Sequence, residues 1–211
     1  MAAEELQLLR TIATDFLETR KLKLLGDLPD DDSLSHQVMV SPGYVRINAK
    51  SEGANEGLVV IYFLGAGSKY MLHGNDLDVL LRQLENENNT DRLPRNLQEL
   101  ILVAPDVFFT KSNLLDIFKK HADASTAYYN PQPYHRFSMN ILKSVSVSPH
   151  RIMSEEEVKT TFKFGEKKTD LPVILITDPI VLWIGARVGQ VIEVTRWSSS
   201  TGHAITYYRV K

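Results

Sequence analysis

Seven consecutive apolar residues, Leu58–Leu64, run between Gly57 and Gly65. A run of this length and make-up reads as a β-strand. It is the longest unbroken apolar stretch of the 211-residue chain, and it falls far short of the roughly 18 residues a membrane span requires. A second strand is expected over Tyr44–Ala49, across the turn-rich Ser51–Gly57.

Helices are expected on either side of this pair. Leu9, Ile12, Ala13, Phe16 and Leu17 recur at three- and four-residue spacing, which predicts an amphipathic helix from Leu6 to about Leu25. Gly26 and the acidic Asp30-Asp31-Asp32 run would stop it. Asn75 is a plausible N-cap for a helix to about Glu87, with Leu77, Leu80, Leu81 and Leu84 on one face. Leu100–Val103 reads as a short buried strand. Thr110 or Ser112 caps a helix whose apolar face is Leu114, Leu115, Ile117 and Phe118. Ala127–Tyr129 and Phe137–Leu142 read as strands around a Pro131/Pro133 loop. Strands alternating with helices predict an α/β layered domain of about 140 residues.

The character changes after Lys143. Ser144–Pro149 is a connector, and Ser154 with Glu157 forms a capping box opening a helix to about Phe164. Leu171–Thr177 reads as a strand, Asp178-Pro179 as a turn and Ile180–Ile184 as one helical turn. Gln190–Arg196 and His203–Val210 are strands joined by Trp197–Gly202. The expected organisation is therefore residues 1–144, α/β, and residues 145–211, a small α+β domain. The smaller one buries only about 60% of its unfolded surface and is marginal alone. It ends on a strand whose outer edge needs cover, a combination that suits docking on a partner as well as packing on the first domain.

Charge separates the same two regions weakly. Residues 145–211 carry nine basic and seven acidic side chains, whereas the rest is net −4, within an overall charge of −2. A free-standing DNA-binding domain is normally more basic, so nucleic-acid contact is expected to be local or shared with a larger assembly. There is no cysteine, which excludes disulfide frameworks, thiolate metal sites and cysteine nucleophiles. The opening Met1-Ala-Ala-Glu-Glu-Leu lacks a basic n-region, so no secretory signal is expected.

Catalytic motifs are absent. There is no Gly-x-Ser-x-Gly elbow. Gly65-Ala-Gly67-Ser-Lys69 follows a strand as a phosphate loop would, but the second half of that motif is missing, and a glycine-rich hairpin turn is the better reading. The six histidines are dispersed; His73 with Asp76, or Asp30–Asp32, could offer metal ligands, but a loop histidine before a helix and a solvated acidic loop are the simpler readings. Metal-dependent nucleases need a carboxylate before an acid-x-lysine pair, and the nearest match, Asn48-Ala49-Lys50, has an amide in its place. Catalytic residues, metals and cofactors are all expected to be none.

The C-terminal region resembles a known family. Leu171-Pro172, Thr177-Asp178-Pro179, Gly185, Gly189-Gln190-Val191-Ile192, Arg196, Thr201-Gly202 and Ile205-Thr206-Tyr207 follow its signature in order, preceded by Pro149-His150 and Met153-Ser154-Glu155-Glu156-Glu157. The family is subunit 5 of eukaryotic RNA polymerases, which has an archaeal relative without the N-terminal domain. The N-terminal part is similar, more loosely, to the eukaryotic jaw domain through the opening helix and the Thr110–Ser112 element. After the arginine the cellular pattern is Pro-Ser-Glu-Thr-Ala-Gly; here it is Trp197-Ser198-Ser199-Ser200-Thr201-Gly202. Trp183-Ile184-Gly185-Ala186-Arg187, Pro133-Tyr134-His135-Arg136-Phe137 and Arg46-Ile47-Asn48-Ala49 look more like the versions of nucleocytoplasmic large DNA viruses.

The resemblance implies a non-catalytic polymerase subunit. Its C-terminal domain would anchor on the largest subunit, and its N-terminal domain would lie beside downstream duplex DNA without reading sequence, with no membrane partner. It would work in the host cytoplasm (the viral factory) and virion if viral, or the nucleus if cellular. The expected polymerase-interface residues are Asp178, Pro179, Gly185, Gly189, Gln190, Arg196, Tyr207 and Arg209. The expected DNA-facing residues are Thr110, Lys111, Ser112 and Asn113, where free N–H groups at a helix start and one lysine could meet a phosphate. The alternatives are a stand-alone transcription or nucleic-acid-binding factor, and a nuclease-like enzyme.

Overall fold

The computed structural model describes residues 2–28, 33–34, 43–51, 57–68, 74–86, 92–110, 112–162, 170–198 and 202–211. The chain divides into two compact units, Met1–Met139 and Asn140–Lys211. Each mixes helices with its own β-sheet.

The first unit opens with helix α1 (Ala2–Thr11), continued by a π-helical stretch Ile12–Phe16 and a last turn Leu17–Thr19. Lys21 then takes a left-handed φ of 54° and the chain turns into strand β1 (Leu22–Leu24). The helix expected to reach Leu25 therefore stops at Thr19. The alternating Leu-Lys-Leu that follows pairs antiparallel with β2 (Tyr44–Ser51). The remaining elements are β3 (Leu58–Leu64), α2 (Gly74–Glu85), β4 (Leu97–Ala104), α3 (Asp106–Phe109), α4 (Ser112–Ala124) and β5 (Tyr128–Pro133).

The sheet has the order β1-β2-β3-β4-β5. The first two pairings are antiparallel, and β3/β4 and β4/β5 are parallel. Period-2 alternation sends Val60, Tyr62, Leu64, Leu100, Leu102 and Ala104 to one face. There they pack with Leu77, Leu80, Leu81 and Leu84 of α2 and Leu114 and Phe118 of α4. Each fully buried side chain of this kind contributes about 1.5–3 kcal/mol. Residues of the other face meet α1 and the turn after β5. Phe63 stacks on Tyr134 at 4.8 Å, Phe16 meets Phe137 edge-on at 5.1 Å, and Arg20 reaches Glu99.

Several expectations are corrected. Asn75 lies inside α2, which already starts at Gly74. Pro131 and Pro133 belong to strand β5 rather than a loop. β5 is the edge of the sheet, so the N–H groups that proline lacks cost no ladder bond there. Phe137–Leu142 is not a strand. Two 3₁₀ turns, Tyr134–Phe137 and Ile141–Lys143, occupy that stretch, and Asn140 Oδ1 accepts from the Leu142 amide at 3.0 Å. The Gly65–Ser68 turn, closed by Ser68 N–H to Gly65 O at 2.9 Å, ends the strand that precedes α2 and is not a hairpin. Asp30–Asp32 and His73 lie outside the described residues.

The second unit contains β6 (His150–Ile152), α5 (Glu155–Thr161), β7 (Val173–Ile174), α6 (Pro179–Ile184), β8 (Val191–Ser198) and β9 (Gly202–Val210). The sheet order is β6-β8-β9-β7. The capping box is present, with Ser154 Oγ accepting from Glu157 N at 3.1 Å and Glu157 Oε2 accepting from Ser154 N at 2.7 Å. Val181, Ala186, Ile192, Val194 and Val210 form the core, beside a smaller cluster of Met153, Val158 and Val191.

The strand expected over Leu171–Thr177 shrinks to two residues, β7. Those two pair in parallel with Arg209 and Val210, so the last strand is not bare along its whole outer edge. From Gly202 to Tyr208 that edge has no strand partner among the described residues.

Candidate interaction groove on the C-terminal unit

The connector before β6, strands β7, β8 and β9 and the start of α6 converge on one groove of about 860 Å³. The connector Val145–His150 forms one wall, held by Thr195 N–H donating to Pro149 O at 3.1 Å and by His150 Nδ1 donating to Ser148 O. β8 contributes Val194, Arg196 and Trp197, and β9 contributes His203 and Tyr208. Asp178 and Ile180 close it from the start of α6.

Sequence chemistry explains the local geometry. Asp178 is the N-cap of α6, with Oδ1 accepting from Ile180 N at 2.8 Å, and Pro179 occupies the first helical position. Arg196 donates through Nη2 to the Tyr208 hydroxyl at 2.8 Å, its guanidinium lying 5.9 Å from that ring's centroid. Arg196 alternates in phase with the core residues Ile192 and Val194 of β8, and Tyr208 packs in part against the same core. Trp197 is 76% exposed and touches His203 edge-on at 5.1 Å.

Exposure marks this unit out. Of the ten exposed large apolar side chains among the described residues, six (Val145, Val173, Leu175, Val188, Trp197 and Ile205) fall in its 72 residues. Three of these six, Val145, Val173 and Trp197, line the groove.

Of the expected interface residues, the structure brings Asp178 and Arg196 to this groove, with Pro179 adjoining it. Five others have local positions. Gly185 ends α6 at φ 75° and Gly189 turns at φ 88°. Gln190 Oε1 accepts from Arg187 N at 2.7 Å. Tyr207 packs edge-on against Phe162 at 5.2 Å, and Arg209 sits between β8 and β7 with a buried Nε that has no hydrogen-bond partner among the described residues. Trp197, His203 and the Val145–Ser148 wall were not anticipated as site residues. The available signal was an aromatic standing in a serine-rich hairpin.

A second polar feature borders the unit's capping box. Arg151 holds Glu193 bidentately at 2.8 and 2.9 Å and Glu157 at 2.7 Å, and the two carboxylates, Glu193 foremost, raise its proton affinity. The Ser154 amide, followed by Arg151, keeps the Glu157 carboxyl below the usual carboxylate range.

In the first unit, Thr110 follows the short α3 and donates to Val107 O at 2.7 Å, so it closes that helix rather than opening the next. α4 begins at Ser112, and Asn113 is exposed in its first turn. Lys111 lies outside the described residues. Asn48, at the position a nuclease would give to a carboxylate, accepts from Arg46 Nε at 2.9 Å. Among the described residues no three His, Asp or Glu side chains converge as a metal site, and no helix is long and apolar enough to cross a membrane.

Comparison with known proteins matches the same boundaries. The family described as RNA polymerase Rpb5, C-terminal domain, covers residues 139–210. A DNA-directed RNA polymerase RPB5 homolog of African swine fever virus is 34% identical over 203 residues, 95% of this chain and 94% of the relative. DNA-directed RNA polymerase subunit Rpo5 of Methanosarcina barkeri is 42% identical over 72 residues, 34% of this chain and 91% of the relative. The same subunit of Pyrococcus horikoshii is 44% identical over 72 residues, 34% of this chain and 87% of the relative. With a full-length viral relative, a matching C-terminal domain and short archaeal relatives, this chain belongs to the Rpb5 family of DNA-directed RNA polymerase subunits.

Proposed function

We propose that the chain is a non-catalytic subunit of a multisubunit DNA-dependent RNA polymerase. Residues 145–211 form the assembly domain that anchors on the largest subunit, and residues 1–144 form a jaw-like domain beside downstream duplex DNA. The site of action is the host cytoplasm and the virion, as for a polymerase carried by a large DNA virus.

One observation carries the anchoring role. The archaeal relatives are little more than the 72-residue region they share with this chain, yet they bear the name of a polymerase subunit. What is sufficient for membership in the enzyme therefore resides in the region that here carries the groove. Its exposed Trp197 and Ile205, and the unpaired edge of β9, are the surfaces a partner would cover.

Affinity purification of the tagged chain from producing cells tests the reading. Two very large polymerase chains should co-purify at stoichiometric yield, and Trp197→Ala with Ile205→Asp should reduce that yield. Recovery of the chain alone, or crosslinks from residues 145–211 to no other chain, would overturn it.

A further inference from the structure

We propose that Arg209 is the receiving group for a carboxylate of the polymerase partner, an aspartate or glutamate side chain held end-on by the guanidinium fork. The inference rests on the docking role given above to residues 145–211, and it names the chemistry that role requires of the partner.

The backbone fixes where this arginine sits. β7 and β9 run in parallel, with Val173 beside Arg209 and Ile174 beside Val210. Arg209 N–H donates to Pro172 O at 2.8 Å, and Lys211 N–H donates to Ile174 O at 3.0 Å. On its other side Arg209 is paired with Val191 of β8. Alternation divides the row. Ile174 and Val210 belong to the core of one face, so Val173, Arg209 and Val191 take the opposite face.

The Arg209 side chain makes no hydrogen bond, ion pair or ring contact among the described residues. Its Nε is buried without an acceptor, whereas the two terminal nitrogens, equally unbonded, are not buried and so reach solvent. Glu193 lies on the same face of β8, but Arg151 already holds it bidentately at 2.8 and 2.9 Å. A buried N–H without an acceptor weakens the free fold, so the stability of this unit does not account for an arginine here. With Nε shut in, the Nη1/Nη2 pair is the open side of the fork, and two parallel N–H groups match the two oxygens of a carboxylate.

The surroundings favour a protein carboxylate over a nucleic-acid phosphate. Val173 is exposed beside Arg209, and Leu175, two residues on, is exposed as well. Apolar surface next to a charged anchor excludes water from the pair when a partner covers it. Surfaces that hold phosphate backbones are polar and strongly basic instead. Val173 also lines the docking groove, so a chain that covers the β7 side of that groove is brought beside Arg209.

The test uses the tagged full chain in producing cells and the polymerase it brings down. Arg209→Met keeps most of the stem and removes the charge. The yield of the large polymerase chains should then fall at least about tenfold. The melting temperature of the free chain should stay level or rise, because an unbonded buried N–H has gone. Arg209→Lys keeps the charge without the fork and should fall between the two. In enzyme assembled with that variant, a carbodiimide should join residue 209 to an aspartate or glutamate of a large polymerase chain, located by mass spectrometry. Nuclease digestion should alter neither yield nor crosslink, and loss of both on digestion would assign Arg209 to phosphate. A parent-like yield for Arg209→Met, a fall in its melting temperature that matches the loss of yield, or a crosslink only to carboxylates of this chain would overturn the proposal and leave the docking reading standing. Recovery of the parent without the large chains would overturn the docking reading, and this proposal with it.

Discussion

Arg20 Nη2 lies 2.6 Å from Glu99 Oε2, and the two side chains are only 7% and 2% exposed. This pair ties the end of the α1 helical segment to the middle of the sheet. Glu99 Oε1 accepts from Asn130 Nδ2 at 2.9 Å, and Asn130 Oδ1 accepts from Gln132 Nε2 at 2.6 Å, which carries the network onto the edge strand β5. The Arg20 guanidinium also lies 5.3 Å from the Phe16 ring centroid. Removing one partner strands a buried charge, whereas replacing both by apolar groups does not. Arg20→Ala is therefore expected to cost about 3–5 kcal/mol. Arg20→Met with Glu99→Leu should cost much less than the sum of the single changes. Urea unfolding midpoints at constant m-value measure both. Additive losses would show that the two charges act independently.

An acid-sensitive clamp joins α2 to α4. His121 Nε2 meets Asp78 Oδ1 at 2.9 Å, and its Nδ1 meets both Glu85 oxygens at 3.0 Å. Tyr129 donates to Glu85 Oε1 at 3.0 Å, and burial, followed by the Glu85 charge, pushes that phenol well above its ordinary value. The His121 hydrogen bond, with Arg82 and Lys120 as lesser attractions, holds the Asp78 carboxyl below 3.8. A folded-state pKa below the unfolded one adds stability that is complete above the unfolded value and lost as pH falls through the folded one. The melting temperature of the parent should drop as pH falls below about 4, and Asp78→Asn should flatten part of that drop. Circular-dichroism melts across the acid range read this directly; identical pH profiles for parent and variant would exclude Asp78 as a source.

What local pattern specifies was legible, and what distant pairing specifies was not. The apolar faces of α2 and α4 follow from 3.6-residue spacing, because each helix buries one stripe on the sheet. The Ser154–Glu157 box and the Asp178 cap are visible because their donors and acceptors are two or three residues apart. β5 was hidden by Pro131 and Pro133, which are compatible with a strand only because that strand is an edge. Glu99 carries no sign in its own strand that Arg20, 79 residues away, will neutralise it. In the groove, Asp178 and Arg196 stood out through motif, whereas Trp197 depends on a hairpin whose two strands hold its ring outward beside His203.

That outward position makes Trp197 a clean test of docking. Among the described residues its one ring contact is with His203, and it is largely exposed, so truncation should leave folding nearly untouched, within about 0.5 kcal/mol. A buried aromatic anchor at an interface is worth about 2 kcal/mol, roughly 30-fold in affinity. Trp197→Ala should therefore lower co-purification with the large polymerase chains while its melting temperature matches the parent. Equal loss of both would assign Trp197 to the fold of the unit rather than to a partner.

The jaw-like role assigned to the first unit depends on phosphate contacts at the start of α4. Ser112 opens that helix and Asn113 is exposed in its first turn, so the positive end of the helix dipole lies at this segment. Lys111 adds the one full positive charge of the Thr110–Asn113 segment. Contacts of this kind position a duplex without distinguishing its sequence. In the assembled enzyme, Lys111→Glu should weaken downstream-duplex binding by the same factor on unrelated sequences. The slope of log affinity against log salt should fall in magnitude by at least about one. Crosslinking from this segment to downstream DNA should drop in parallel. If crosslinking and salt slope both match the parent, the segment faces away from DNA and the jaw-like assignment fails at this point.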